Sequence, residues 1–472
     1  MAELRTLAVL ALAASAACTL APRYERPAAP VPSAFPTATA AGARTAADLG
    51  WREVIVDARL QALVGLALER NRNLKATALN VELVRAQYRI QRAQLLPAAV
   101  AGGTFSQART PGDLNSTGRP LTADSWTVNG AVTGFELDLF GRVRSLSNAA
   151  LEQYLSTDEA RRSAQLALVG EVATQELALR AATEQVALAR STQEAQAASL
   201  AISRRQAEAG RASELDLRTA ESQAETARFN LAAAEAQRDR AEHALAVLVG
   251  GPLPAGLPAA APLDSPALLT ELPAGVPSEV LPRRPDVLAA EHALRAANAQ
   301  VGAARAAFLP TISLTGSYGT ASADLSGLFQ PSSEAWTFVP RITLPIFAGG
   351  ALRASLDVAE VRKSIQVVQY ERAIEVAFRE VADALTSRGW LEQELAAQTA
   401  RVAAERRRYE LSEKRYDAGI DPYLTFLTAQ RDLYAAQQGL IQVRLARLTN
   451  LLDLYRALGG GWRETAVTAS AG

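Results

Sequence analysis

Gln206-Ala-Glu-Ala-Gly210-Arg-Ala-Ser-Glu-Leu-Asp-Leu217 and Arg415-Tyr-Asp-Ala-Gly419-Ile-Asp-Pro-Tyr-Leu-Thr-Phe426 are two copies of one turn, and the 472-residue chain is arranged around them. Their glycines stand 209 residues apart, and the same offset carries Gly250-Gly251 onto Gly459-Gly460. A self-match near half the chain length marks an internal repeat. Both turns lie between long, apolar-periodic segments almost free of proline. Each reads as a helix-to-helix reversal, with glycine where a left-handed residue follows a helix C-terminus.

The segments behind the turns, Arg142 to Ala209 and Ala351 to Ala418, each read as one helix of 68 residues. At 1.5 Å per residue such a helix spans roughly 100 Å, more than any globular core. The apolar positions form a narrow stripe (Leu166, Val169, Val172, Ala173, Leu177), suited to helices packed side by side in a wall. The returning segments, Ser213–Leu248 and Asp421–Ala457, are about half as long. Leu60–Leu95 and Pro285–Leu309 supply the missing halves, so two long and two composite helices are expected per chain.

With 49 basic and 49 acidic residues the net charge is zero, which argues against a nucleic-acid partner. One cysteine excludes an internal disulfide framework, and His243 and His292 lie on separate helices, so no metal site and no cofactor is expected. There is no glycine-rich phosphate loop after a strand and no nucleophile–base pair, so an enzyme is not expected either. Glu and Arg at helical spacing read as solvated faces.

The start reads as a targeting segment, residues 1–17: Arg5, the apolar run Leu7-Ala-Val-Leu-Ala-Leu-Ala-Ala, then Ser15-Ala-Ala17 before Cys18. This resembles a bacterial lipoprotein signal, in which the cysteine becomes the acylated N-terminus; plain cleavage with a free thiol is the alternative. No later stretch holds eighteen uninterrupted apolar residues, but strands can also span a membrane. Candidates are Ala98–Ala108 and Ser125–Asp138, joined by Arg109–Asp124, and Thr311–Ala321 and Ala335–Ile346, joined by Ser322–Glu334. Ile312, Leu314, Gly316 and Tyr318 alternate with Thr311, Ser313, Thr315 and Ser317, the period of an outer-membrane strand. Aromatic residues gather at the strand ends, as an interfacial girdle does. Four strands cannot close a barrel, and lipid tolerates no open edge. Copies must therefore pool strands, eight from a dimer or twelve from a trimer, and a helix-walled conduit suits the wider.

Pro277-Ser-Glu-Val-Leu-Pro-Arg283-Arg-Pro-Asp286, with Ala290 through Gly302 and Arg305 to Pro310-Thr-Ile-Ser-Leu-Thr-Gly316, resembles the most recognisable segment of the TolC-type outer-membrane efflux factors. The likeness is to their lipoprotein branch, the OprM/NodT type. Cys18-Thr-Leu-Ala-Pro-Arg-Tyr24-Glu-Arg-Pro27, Leu344-Pro-Ile-Phe347-Ala-Gly-Gly350, Ala429-Gln-Arg431 and Ala457-Leu-Gly-Gly-Gly-Trp462 extend it over the mature chain. The resemblance implies a mainly α chain with a membrane β part. It implies a homotrimer with a twelve-stranded β-barrel in the outer membrane, four strands per chain, continuous with a long periplasmic α-helical barrel. The corresponding divisions are a lipid-anchored segment 18–58, a first repeat 59–249, a Pro-rich equatorial linker 250–284, a second repeat 285–458 and a tail 459–472. It implies a passive exit duct for small molecules in a tripartite pump, with a periplasmic adaptor (membrane fusion protein) and an inner-membrane RND-type pump as partners. A type I protein-secretion outlet of the same fold is the alternative.

The same resemblance assigns roles at the turns. Gly210, Arg211, Ala212, Ser213 and Glu214, with Gly419, Ile420 and Asp421, are the expected adaptor contacts. Leu424, Thr428 and Arg431 occupy the constricting positions of the periplasmic gate. The family usually has an aspartate where this chain has Thr428, so Asp216 or Asp421 is expected to supply a carboxylate ring, and Asp216, Glu214 or Asp421 to pair with Arg431. Both aspartates also suit helix starts.

The signal reading predicts that mass spectrometry of the mature protein finds an acylated Cys18 at the N-terminus. Cys18→Ser should weaken tethering without affecting assembly; an unmodified or differently cleaved terminus refutes the reading.

Overall fold

Proline and glycine punctuate the chain where the elements change. A computed structural model describes residues 19–35, 46–270, 272, 277 and 281–462; the expected signal segment 1–17, Cys18, part of the linker and the tail from 463 lie outside them. The order is α1 (Trp51–Val54), α2 (Ala58–Arg70), α3 (Arg72–Ala93), β1 (Ala99–Thr110), β2 (Leu121–Leu137), α4 (Arg142–Glu208) and α5 (Glu214–Val249). Then follow α6 (Pro285–Ala306), β3 (Thr311–Ser322), β4 (Glu334–Thr343), α7 (Ala351–Asp417) and α8 (Tyr423–Ala457). Helix, two strands, a 67-residue helix and a shorter return helix thus occur twice.

The expected single helix Leu60–Leu95 is two helices, broken at Asn71 (ψ 125°). Asn71 caps α3 by accepting from the Leu74 amide at 2.9 Å and donates to the Leu248 carbonyl at 2.8 Å. That carbonyl is one of those a helix C-terminus leaves without an internal partner. Gly250, at φ +88°, closes beside it; a Cβ there would meet the Arg70 carbonyl oxygen at 2.6 Å. The second repeat solves the same problem 209 residues on with another side chain. Arg284 donates to the Ala457 carbonyl at 2.8 Å, beside Gly459 at φ +81°. Arg284 is buried and paired with Asp286 and Glu380, both at 2.7 Å. Expected strand ends also move. β2 begins at Leu121 because its alternation continues through the expected loop, where Gln107 donates to Asp124 across the pair at 2.8 Å. β4 stops at Thr343, opposite Thr311, and Pro345 beyond it has no amide to donate.

The chain packs as two units. One comprises Asn80–Asp158, Ala289–Tyr370 and the described part of Met1–Ala28. Its sheet runs β1-β2-β3-β4, antiparallel throughout, with a bulge between Val132 and Phe135. The register puts Ile312, Leu314 and Tyr318 on one face with Ile342, Pro340 and Trp336, while Ser313, Thr315 and Ser317 share the other with Arg341, Val339 and Thr337. Tyr318, Trp336, Phe338 and Ile342 are all more than three-fifths exposed in the single chain.

In the same unit the segment Thr19–Arg26 is strapped onto α6. Glu291, 3% exposed, accepts from Arg26 (2.5 and 3.1 Å), Tyr24 (3.1 Å) and Arg295 (2.7 Å). Asn298 donates to the Pro22 carbonyl at 2.7 Å, and Gly302 lets Ala21 approach, since a Cβ there would lie 2.7 Å from the Ala21 backbone. Burial opposes the charge on Glu291, but the Arg26 hydrogen bond and the charges of Arg295 and Arg26 hold its carboxyl below the ordinary value. Burial and Glu291 push the Tyr24 hydroxyl up to about 12.

The other unit comprises the described parts of Ala29–Leu79, Glu159–Leu288 and Glu371–Gly472. Its core gathers Trp51, Ile55, Leu60 and Leu63 with Leu177, Leu245, Leu454 and Leu458, all under 2% exposed. Burying a leucine of this kind stabilises by about 1.5–3 kcal/mol. Residues 54–57 pair with 267–269, with the Val56 amide on the Ala267 carbonyl at 3.0 Å and the Leu269 amide on Val54 at 2.8 Å. Arg180, 2% exposed, spans Asp57 (2.9 Å) and Glu176 (3.1 Å), and Arg59 also reaches Glu176 at 2.7 Å.

Glu291→Gln should free the strap, leaving two guanidiniums without their carboxylate. The cost is about 2–3 kcal/mol, below that of a fully buried pair because Arg26 is half exposed. Trypsin should then cut faster after Arg23 with helical content unchanged. Because the folded carboxyl titrates below its unfolded value, this contribution is complete above about pH 4.5 and lost as pH falls through the depressed value; unchanged cleavage in the variant refutes the strap.

Candidate functional site at the hairpin tips

The two turns adopt one backbone solution. Gly210 and Gly419 both have φ +69°. The Gly210 amide bonds the Ala207 carbonyl at 2.9 Å and the Arg211 amide bonds Gln206 at 2.8 Å. At the same offset Gly419 bonds Tyr416 at 2.9 Å and Ile420 bonds Arg415 at 2.9 Å. This is the Schellman closure, which satisfies helix-end carbonyls by backbone donors alone.

The restarts differ. Ser213 caps α5 by accepting from the Asp216 amide at 3.2 Å, while the Asp216 carboxylate accepts from the Ser213 amide and hydroxyl at 3.3 and 2.7 Å. This reciprocal capping box gives Asp216 a structural role. Glu214 pairs with Arg218 at 3.4 Å. In the second tip Pro422 starts α8, and Asp421 receives Arg415 through two bonds of 2.7 and 2.9 Å. That hydrogen bond, on an exposed pair, holds the Asp421 carboxyl below its ordinary value. The expected pairing of Arg431 with Asp216, Glu214 or Asp421 is therefore not made within one chain. Arg431 lies more than two helical turns into α8, and its nearest carboxylate is Asp432 at 3.8 Å, which Arg408 already engages.

α8 has two distinct faces at its start. Tyr423, Phe426, Leu427 and Gln430 are buried, whereas Leu424 and Arg431 are about 70% exposed, with Thr428 between them donating to the Leu424 carbonyl at 2.8 Å. Spacings of four and three put the last three on one face. Sequence reasoning did not single out what lies behind that face. Tyr416 stacks on Phe426 at 5.6 Å, Tyr409 and Tyr423 join them, and Gln196 donates to Gln430 at 2.8 Å in a buried bond. Tyr409 and Tyr416 are seven residues apart and Tyr423 and Phe426 three, a helical spacing that could have revealed the cluster. Burial and the nearby Glu413 push the Tyr409 hydroxyl up to about 12.

Among the described residues no helix is long and apolar enough to cross a membrane, and no group of three or more His, Cys, Asp or Glu could hold a metal ion. A four-stranded sheet with one apolar and one polar face, joined to paired long helical hairpins, defines a TolC-like outer-membrane channel chain. The model of the outer membrane efflux protein family matches residues 63–251 and 276–460. Outer membrane protein OprJ of Pseudomonas aeruginosa is 45% identical over 449 residues, covering 95% of this chain and 94% of that one. The solvent efflux pump outer membrane protein SrpC of Pseudomonas putida is 44% identical over 467 residues, covering 98% and 99%. The open state of the Neisseria gonorrhoeae MtrE outer membrane channel superposes with a TM-score of 0.87 at 40% identity, covering 95% and 99%. The chain belongs to the outer membrane efflux protein family, and it is an outer-membrane efflux channel protein.

Gly210→Ala and Gly419→Ala should each destabilise their own tip by about 1–2 kcal/mol, the cost of a left-handed non-glycine residue. Amide exchange of residues 206–216 or 415–425 should rise about tenfold, because 1.4 kcal/mol is a factor of ten. Exchange that rises equally at both tips in either single variant refutes local closure.

Proposed function

We propose that three copies of this chain pool their sheets into a twelve-stranded barrel, with the helical hairpins forming a periplasmic conduit. The observation that carries this reading is the open sheet: β1 and β4 are edges in the single chain, and each unpaired backbone group in hydrocarbon costs several kcal/mol. Twelve pooled strands remove every edge. The apolar face with Trp336 and Phe338 then meets lipid, and the face with Ser313 and Ser317 lines the lumen. Cys18 carries the acyl anchor. The duct passes small organic molecules, a class to which the solvents in SrpC's name belong, with the driving force supplied by an inner-membrane RND-type pump through a periplasmic adaptor. The adaptor meets Gly210–Glu214 and Gly419–Asp421.

The exposed face of Leu424, Thr428 and Arg431 forms the resting constriction, where three copies approach one axis. Arg431 then finds its partners on neighbouring chains. Cross-linking in outer membranes should give a three-chain species and no stable folded monomer; a monodisperse water-soluble monomer refutes the duct.

In planar bilayers Arg431→Ser should raise single-channel conductance several-fold, and Thr428→Asp should add block by multivalent cations from the periplasmic side. Unchanged conductance in an intact Arg431→Ser trimer places the gate elsewhere.

A further inference from the structure

Between α4 and the second hairpin lies a cavity of about 340 Å³. Its room comes from α4, which presents the small side chains of Ala195, Ala198 and Ser199. From α7 come Tyr409, Glu413, Tyr416 and Asp417, which recur at helical spacing on one face. Phe426 and Gln430 close it from α8, on the opposite side of that helix from Leu424 and Arg431. A volume of this order holds a small organic ligand. Every wall belongs to one chain, so the cavity does not depend on how copies associate.

The lining has one electrostatic sign. Phe426 lies 5.6 Å from both Tyr409 and Tyr416, so three rings gather at one side. The face of such a ring is negative and attracts a cation within about 6 Å of its centre. Two carboxylates add to this field. Glu413 accepts only the Tyr409 hydroxyl, at 3.1 Å, and Asp417 has no hydrogen-bond or ion-pair partner for its carboxylate among the described residues. Carboxylates nearby on these helices are paired, Glu410 with Arg407, Asp421 with Arg415 and Asp432 with Arg408. No lysine, arginine or histidine lines the cavity, so its two charges are not neutralised there.

We propose that this cavity binds a small organic cation, a substituted or quaternary ammonium with an apolar body. The charged nitrogen sits between the rings and the carboxylates of Glu413 and Asp417, and the body fills the space over Ala195 and Ala198. A neutral ligand gains nothing from the two carboxylates, and an anion is repelled by them. Because the walls come from both hairpins, an occupant ties α8 to α4 behind the face that carries Leu424 and Arg431. A guanidinium on a partner protein offers the same charge without the apolar body, and the experiment separates the two.

Equilibrium dialysis of the full chain in lipid nanodiscs, with empty nanodiscs as the blank, tests this with benzyltrimethylammonium. Saturable binding of one cation per chain is expected. The uncharged isostere, with carbon in place of nitrogen, should bind about tenfold more weakly. Glu413→Gln combined with Asp417→Asn should weaken the cation to a similar degree. Ala198→Phe, which fills the cavity from an exposed helix position, should abolish binding with helical content unchanged. Equal affinity for the isostere overturns the cation site, and so does full affinity in the Ala198→Phe protein or in the double variant. Absence of saturable binding at millimolar concentration overturns it as well. Tighter binding of acetyl-arginine-methylamide than of benzyltrimethylammonium replaces the free cation by a partner's side chain.

Discussion

An antiparallel sheet with two unpaired edges cannot remain alone in hydrocarbon, and the rest of the molecule follows from that constraint. The β1–β2 and β3–β4 connections are hairpins, and the four strands pair in chain order, so all inner ladders are satisfied within the chain, β2–β3 across about 180 residues of sequence. What is left over is one side of β1 and one side of β4, which the proposed trimer pairs with its neighbouring copies. Each hairpin is followed in sequence by a 67-residue helix, so in the proposed trimer the long helices of each chain are brought into the assembly with its strands. Their narrow apolar stripes suit a wall of helices better than the core of a single chain.

Much of this was legible in the residues. Long helices announce themselves by periodicity sustained without proline, and the turns by glycine at a fixed offset. Strand alternation in Thr311–Tyr318 separated the apolar from the polar face directly, because a period of two leaves no ambiguity about which residues share a side. What escaped were interactions between residues distant in sequence. The break at Asn71 is invisible locally, since its cause is the carbonyl of Leu248, 177 positions away. Arg284 performs the corresponding task with a different residue type, so comparing the repeats by identity alone would miss it.

At the tips the same distinction holds. Spacing alone put Leu424, Thr428 and Arg431 on one face, and the structure leaves Leu424 and Arg431 exposed there with Thr428 half-buried between them. Charge partnership was not legible: Asp216 serves its helix start and Asp421 serves Arg415, because a helix beginning and a guanidinium six residues away are nearer than any other partner. The aromatic packing behind that face was overlooked for the opposite reason. Tyrosines scattered along charged helices look solvated until two helices are laid together.

The two tips share their closure but not their surface. Both reversals are held by amide-to-carbonyl bonds around a glycine at φ +69°, so no side chain outside the glycines is needed to make the turn. Shape and chemistry are thereby uncoupled: Arg211, Ala212 and Ile420 are free to change without unfolding the reversal they sit on. In the proposed docking role, such a tip can exchange one specificity for another by substitution alone. The scaffold needs no accompanying repair, so a shift of partner remains within reach of single mutations.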